Sequence, residues 1–342
     1  MPPAHLVRAG QRPAHRSTPL ASAPGRFASR ILGFMPRSTI AVGLSAVIVA
    51  VTGDAPRVLT VGGEPCALPT GELDPDSDRT LEQALRRWVH EQTGIDLGYV
   101  EQLYTLGDRG RGTAAAERLV SVTYLALVQE RPLPPETGAR WRDWYGFFPW
   151  EDFRAGRPAS LADTIVPALE HWAATGEDGA ERESRRERAE ILFGQGGSSW
   201  DGERTLERYE LLYEIGLIPE AARTDTDPAA PGAPMALDHR RITAAALGRI
   251  RGKLGYRPVV FELGPATFTL SGLQRVVEAL SGVRLHTQNF RRLVDRGGLV
   301  EPIGEHDAST GGRPAALYRF RREVLRERPA PGVGLPGMRT SG

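Results

Sequence analysis

Charge is divided very unevenly along this chain. Residues 238–328 hold 17 Lys and Arg against 9 Asp and Glu, about +8, whereas residues 38–237 hold 19 against 33, about −14. A formal net charge of +1 therefore conceals a bipolar molecule. Within the basic segment the apolar spacing predicts three helices, over 242–254, 270–280 and 287–296. Two short strands, 299–303 and 315–320, follow and flank a Gly-Arg-Pro loop. Three helices and a basic hairpin make a compact unit whose surplus positive charge suits a polyanionic partner.

The details of that unit narrow its shape. Ile242, Ala246, Ile250 and Leu254 recur at helical spacing and predict a buried stripe. A β-like segment, 258–263, leads to Thr269, which stands where a cap of the second helix belongs, and Ser281-Gly282 halts that helix. In the third helix Phe290, Leu293 and Val294 should face the core, which leaves Thr287, Gln288, Asn289, Arg291, Arg292 and Arg296 outward. Arg313 is expected to project from the hairpin loop as a wing. This order is that of a winged helix-turn-helix, and the outward residue types suit a major groove. Arg pairs bidentately with guanine, Asn and Gln pair with adenine, and Thr reaches phosphate or a thymine methyl. The competing reading of the same residues is a basic helix that only keeps the surface solvated.

Composition bounds the remainder. A chain of 342 residues, 40% hydrophobic, has room for two or three packed domains. The one cysteine, Cys66, has no internal disulfide partner and no Cys/His cluster has zinc spacing, so a reducing cytoplasm without a structural metal or cofactor is expected. The apolar run 40–51 is too short to span a membrane and rich in β-branched residues, so it reads as a strand. Residues 1–37 carry six Arg and no acid and read as a disordered extension, a targeting segment, or residues ahead of a true start at Met35.

In the acidic part, runs at 40–51 and 57–61 predict a hairpin about Thr52-Gly53-Asp54. A loop and an amphipathic helix over 78–92 follow, with Asp78 as N-cap and Gly94 as C-cap, then strands at 99–106 and 119–128. Strand, strand, loop, helix ended by Gly, then further strands is the order of a Nudix domain, an α/β/α sandwich. Residues 87–95 fall on the second half of the Nudix signature, where Arg87, Val89, Glu91, Gly94 and Ile95 match. Trp88 and Gln92 stand where the signature has glutamates. Leu73 and Arg79 occupy the places of its upstream glycine and glutamate, and Gly71 can supply that glycine only through an insertion. Glutamates three and four residues apart on one helical face share the magnesium ions that polarise a diphosphate. With Glu91 alone, metal-dependent hydrolysis should be inefficient, while Arg87 and Glu91 remain candidates for contact with a ligand.

Residues 130–222 depart from a minimal Nudix domain. The stretch 141–158 holds seven aromatics and three arginines, which read either as an adenine-stacking, diphosphate-gripping surface with Arg154 and Arg157 or as a satellite core or subunit interface. Amphipathic helices over 161–174, 181–193 and 203–216 suggest a helical layer added to the sandwich and a candidate dimer seam. Residues 223–237, rich in Pro, Ala and Asp, read as a linker. The expected domains are thus an N-terminal extension (1–37), a Nudix-like sensing domain with helical insert (38–222), the linker, a winged helix-turn-helix domain (238–328) and a disordered tail (329–342).

Taken together, the chain resembles the Nudix-related transcriptional regulators of NAD metabolism. The likeness lies in Phe268-Thr-Leu, Leu273-Gln274, Asn289-Phe-Arg-Arg292, Gly298-Leu-Val, Gly312-Arg-Pro-Ala and Leu317-Tyr-Arg-Phe320, behind a Nudix-like body with an altered signature. It covers about 38–128 and 238–322, and the long insert is similar to that of a longer bacterial branch described as NAD regulators. The resemblance implies a homodimeric repressor of NAD-synthesis or salvage genes that binds a double-stranded DNA operator and senses ADP-ribose or a related nucleotide. Two alternatives are a Nudix hydrolase acting on ADP-ribose or NADH with an accessory DNA-binding tail, and a C-terminal module that binds protein. The missing carboxylates argue against the first and the outward arginines against the second.

Overall fold

The computed structural model describes residues 40–107, 118–221, 231–308, 314–327 and 332–333. The N-terminal extension with Met35, residue 222, residues 223–230 of the expected linker, Arg313 at the wing and most of the C-terminal tail lie outside the described residues.

Strand β1 (Ile40–Thr52) is apolar on both of its faces, the pattern of a strand covered on both sides. It turns at Gly53, in the left-handed region with φ 61°, into antiparallel β2 (Ala55–Thr60). Next come β3 (Thr70–Glu72), helix α1 (Leu81–Thr93), β4 (Tyr99–Leu106), β5 (Arg118–Leu127) and β6 (Arg140–Asp143). Among the described residues they form a six-stranded sheet in the order β4-β5-β1-β2-β6, with β3 also on β1. β1 pairs with β5 in parallel, and the other pairings are antiparallel.

The two parities of β1 serve two cores. Leu44, Ala46 and Ile48 join Val122, Tyr124 and Ala126 under Ala84, Leu85 and Val89 of α1. Val47 and Val49, with Leu125 and Leu127, enter the second core on the opposite face. There Trp144, Phe147, Phe148 and Trp150 are buried completely or nearly so, and Tyr145 is 5% exposed. Five of the seven aromatics of the stretch are therefore core residues, and their rings are not available to stack a nucleotide. Beyond it, a π-helical turn (Ser160–Ile165) runs into α2 (Val166–Ala174), and α3 (Gly179–Phe193) and α4 (Thr205–Glu214) complete the added helical layer.

Helix α5 (His239–Tyr256), α6 (Leu270–Ser281) and α7 (Thr287–Gly297) follow, then β8 (Val300–Asp307), β9 (Ala315–Phe320) and a short α8 (Val324–Glu327). The β-like segment expected at 258–263 is instead a 3-10 turn, Val259–Glu262. The strand of that region is β7 (Thr267–Thr269), which pairs with β9 so that the wing sheet runs β7-β9-β8. A run of β-branched residues shows only that a segment is buried; the bends at Pro258 and Pro265 leave no length for pairing.

The boundary expected at 223–237 is not a free tether where it is described. Met235 is buried, Cys66 pairs with it through an isolated parallel bridge, and the Ala236 N–H donates to Cys66 O (2.8 Å). Helix α5 then packs on the sheet: Lys253 reaches the Glu101 carboxylate and the Tyr99 hydroxyl (3.1 Å) on β4. One core runs unbroken from Val47 through α4 and α5 to Phe290 and Val294 of α7.

At its centre Glu151, 1% exposed, sits between two buried guanidinium groups. Arg208 of α4 donates from Nε and Nη2 (2.7 and 2.9 Å), and Arg251 of α5 from Nη1 (2.5 Å). Burial alone would raise the Glu151 pKa, but the charges and hydrogen bonds of Arg208 and Arg251 outweigh it and hold the carboxyl below its ordinary range.

His239, at the start of α5, is 3% exposed, and its Nδ1 accepts from the Leu68 N–H (3.0 Å). Burial pushes its pKa down to about 4 from 6.5. The unfolded chain therefore takes up this proton before the folded one does. The stability held by neutral His239 is complete above pH 6.5 and is lost as pH falls from there toward 4, about 3 kcal/mol in all. Denaturant titrations across that range should show the loss, and His239→Asn, which keeps an acceptor but cannot ionise, should reduce it to the background of the other groups.

Candidate functional site

The candidate reading helix is α7, and the turn before it explains its placement. Gly282 ends α6 in the left-handed region with φ 77°. Glu278, one turn earlier and 5% exposed, then accepts from three donors: the Leu285 N–H, Gln274 Nε2 and Arg284 Nη1 (2.9, 2.8 and 2.9 Å). Gln274 also donates to Leu285 O (2.8 Å). Burial raises the Glu278 pKa, and the three hydrogen bonds more than reverse this, so the carboxylate stays ionised. At the far end Arg321 Nε donates to Gly298 O (2.9 Å) and its backbone N–H to Leu299 O (2.9 Å), tying the wing to the end of α7. Neither Glu278 nor Arg321 was named from the sequence. The signal for the first was present in Gln274 and Glu278, four residues apart on one helix face.

Held this way, α7 buries Phe290 and Val294, half-buries Leu293, and exposes Thr287, Gln288, Asn289, Arg291, Arg292 and Arg296. The structure thus brings six of the predicted reading residues onto one helix. Thr269 is used differently: its Oγ1 caps α6 by accepting from the Gly272 N–H (3.0 Å), and it is half-buried. Arg313 lies outside the described residues.

On the other module, α1 is capped by Thr80 rather than the expected Asp78. Thr80 Oγ1 accepts from the Gln83 N–H (3.1 Å), and Gly94 closes the helix at φ 70°. Asp78 lies two residues further out, where it receives Arg87 Nη2 (2.9 Å), and that bond holds its carboxyl below the usual range. Arg87 also approaches Glu91 (3.6 Å) and lies over the Trp88 ring (4.7 Å).

The two residues in glutamate positions face β3 as struts. Trp88 Nε1 donates to Glu72 O (2.8 Å), and its ring covers Gly71 so closely that a Cβ there would fall 2.2 Å from it. Gln92 binds the Thr70 backbone at both groups, accepting from its N–H (3.1 Å) and donating to its O (2.6 Å). An indole offers no oxygen ligand, and the Gln92 amide is occupied by backbone. The donor set therefore does not fit the magnesium ions that the Nudix signature serves. Among the described residues, no group of three or more His, Cys, Asp or Glu is arranged to hold a metal ion.

Arg154 is held by both oxygens of Asp152 (2.8 Å each), donates to Asp54 O and lies over the Tyr145 ring (4.9 Å). Arg157 is exposed. The four candidate effector residues do not converge: Arg87 and Glu91 belong to α1 on one face of the sheet, whereas Arg154 and Arg157 follow the aromatic core on the other.

Comparison with known proteins agrees with both modules. Residues 43–169 match the NUDIX domain and residues 260–320 the NrtR DNA-binding winged helix domain. The ADPR-responsive transcriptional repressor NtrR of Acinetobacter baylyi is 26% identical over 254 residues, 74% of this chain and 69% of that protein. Shewanella oneidensis NrtR, solved in complex with a 27mer DNA, aligns with a TM-score of 0.50 at 22% identity, covering 83% of this chain and 95% of that one. A MutT/nudix family protein from Enterococcus faecalis aligns with a TM-score of 0.51 at 16% identity, covering 88% and 94%.

The strut assignment has a measurable consequence. Gln92→Ala removes two backbone hydrogen bonds and should lower unfolding free energy by about 2 kcal/mol. Glu91→Ala, on the half-exposed face, should change it by less than about 0.5 kcal/mol. Chemical denaturation of the two variants compares them.

With a sandwich whose signature helix is braced by Trp88 and Gln92 and a basic helix-turn-helix set on the same core, the chain carries, in order, a NUDIX domain and an NrtR DNA-binding winged helix domain.

Proposed function

We propose that this protein is a transcriptional repressor of NAD-synthesis or salvage genes that binds its operator as a homodimer and responds to ADP-ribose or a related nucleotide. One observation carries the reading. α7 turns Thr287, Gln288, Asn289, Arg291, Arg292 and Arg296 outward while Phe290 and Val294 seat it in the core, which is the arrangement a major-groove helix requires. The name of the Acinetobacter relative, an ADPR-responsive repressor, and the DNA complex of the Shewanella one support the same assignment. Residues 38–222 are the sensing part and 238–328 the reading part. The added helical layer is the dimer seam, and cytoplasmic residence follows from access to the chromosome. No helix among the described residues is long and apolar enough to cross a membrane.

Sensing without efficient turnover follows from the signature helix. Glu91 is the carboxylate left where Trp88 and Gln92 have replaced ligands, so a diphosphate can be bound by cationic and backbone groups while its cleavage lacks the metal that would polarise it. Arg87 is the cationic candidate beside Glu91, which can accept from ribose hydroxyls; Arg154 and Arg157, on the other face of the sheet, form a separate candidate pair.

The test begins with a duplex selected by the full chain from a random-sequence pool. Arg291→Ala and Arg292→Ala should each weaken binding to it by about 1–3 kcal/mol if they read bases. Unchanged mobility-shift affinity in the double variant would remove α7 as the reader. For the sensing half, calorimetry with ADP-ribose should give binding while assays with Mg²⁺ or Mn²⁺ give little product. Robust turnover that vanishes in Glu91→Gln would replace the sensor with a hydrolase.

A further inference from the structure

The last carbonyls of a helix have no partner within the helix and must find one elsewhere. At the end of α6 they find it in Tyr145 and Phe153 of the sensing body and in Arg251 of α5. The Tyr145 hydroxyl donates to Ala279 O (2.8 Å), Arg251 Nε to Leu280 O (3.3 Å) and the Phe153 N–H to Gly282 O (2.7 Å). Tyr145 and Arg251 are 5% and 4% exposed. Gly282 is pressed against them so closely that a Cβ would lie 2.4 Å from Glu151 O and 2.8 Å from the Tyr145 hydroxyl.

Behind Tyr145 the contacts continue. Arg154 covers its ring and reaches the turn between β1 and β2 at Asp54 O. A cleft of about 340 Å³ opens there, lined by Asp54, Ala55, Asp152, Arg154, Ala155 and Arg284. Five of these belong to the body, and Arg284 belongs to the turn immediately before α7. Arg275 of α6 lies 3.5 Å from the Asp54 carboxylate. The segment that aims α7 is thus fastened on its body side through buried groups and flanked by a cleft that both modules line.

We infer that Tyr145 and Arg251 are positioning residues for the reading helix, and that this clamp is the route by which a ligand on the body changes the tilt of α7. The inference rests on the DNA-reading, nucleotide-responsive function proposed above. A close-packed interior does not absorb a displaced side chain locally. Movement of 145–154 is therefore passed to the end of α6 rather than taken up between them. A ligand shifts α7 only by its differential affinity for the two clamp arrangements.

Tyr145→Phe isolates the clamp, because it keeps the ring, its packing and the surface under Arg154 and removes only the hydroxyl, with its bond to Ala279 O (2.8 Å) and the long one it accepts from Arg251 Nη2 (3.5 Å). In the full chain, hydrogen exchange at the Phe153 amide and the last turn of α6 should quicken by about fivefold, as expected for one lost hydrogen bond, with β1 and β5 unchanged. In wild type, saturating ADP-ribose should change affinity for the selected duplex by about 5- to 150-fold, and in Tyr145→Phe by no more than about twofold. The affinity of the free variant for ADP-ribose should be that of wild type.

Wild-type exchange together with a wild-type ADP-ribose effect would overturn the inference. So would loss of ADP-ribose affinity in the variant, which would make Tyr145 part of the binding site. A wild-type chain that selects no duplex would overturn the proposed function instead, and the exchange at Phe153 and α6 would still decide the positioning role.

Discussion

Glu151 is a carboxylate sealed from water, and the arrangement around it governs how every neighbouring part of the chain is placed. Removing a carboxylate from solvent costs several kcal/mol even after the surroundings relax, and that cost is recovered only where opposite charge and hydrogen bonds meet it in good geometry. Arg208 and Arg251 meet it from two different helices, and their own remaining N–H groups are taken by main-chain oxygens. Arg208 donates to Leu192 O and Asp201 O, and Arg251 to Gly202 O, Glu151 O and Leu280 O. The Arg208 guanidinium also lies 3.9 Å from the Trp200 ring centre. The aromatic segment, α4, α5 and the end of α6 must all be in register before this charge is satisfied. Breaking such a pair from one side leaves a buried charge alone and costs about 3–5 kcal/mol, so the cluster specifies one arrangement strongly whatever its net contribution to stability.

The charge division of the chain takes its meaning from that constraint. An acidic body of about −14 joined to a basic reader of about +8 by a loose tether would attract the reader onto itself. Here α5 has one side on the sheet, through Lys253 with Glu101 and Tyr99, and its buried Arg251 against the aromatic segment and α6. The exposed arginines of α7 are carried on the far side of Phe290 and Val294 from this core. Body and reader therefore communicate through packed side chains and buried hydrogen bonds, a shorter and stiffer path than a linker offers.

The sequence disclosed the features that depend on local periodicity. The double-sided apolar pattern of β1, the helix ended by Gly94, and the alternation of Phe290 and Val294 with outward polar residues in α7 each follow from neighbours three or four residues away, or two in a strand, and each was recovered. Features that depend on distant partners were not. Met235 and Ala236 read as linker because their composition is that of a linker, and nothing local announces that Cys66 lies beside them. The aromatic stretch left two readings open because a ring that stacks a base and a ring that fills a core have the same local signature. Only burial separates them. Asp78 and Thr80 are both good capping residues two positions apart, and the choice between them was made by Arg87, which draws Asp78 away from the helix end.

Trp88 and Gln92 connect the altered chemistry of the signature helix with the demands of a sensor. A glutamate that binds metal must leave its oxygens free toward the ligand. A tryptophan on Gly71 and a glutamine spanning both backbone groups of Thr70 spend the same two positions on fixing α1 to β3. On the proposed reading, the exchange takes ligands from a catalytic ion and braces the wall of the sandwich on which a nucleotide would rest. For an enzyme this is a loss, since polarisation of the diphosphate is where a metal lowers the barrier. For a sensor it is a gain of definition. A site that turns its ligand over holds a changing mixture of substrate and product, so the shift it imposes on the reader follows flux. A site that only binds imposes a shift set by ligand concentration and by the difference in affinity between two arrangements. In the proposed repressor the braced helix and the clamped reader are thus two requirements of one device: a body rigid enough to report occupancy, and a rigid contact through which occupancy would reach α7.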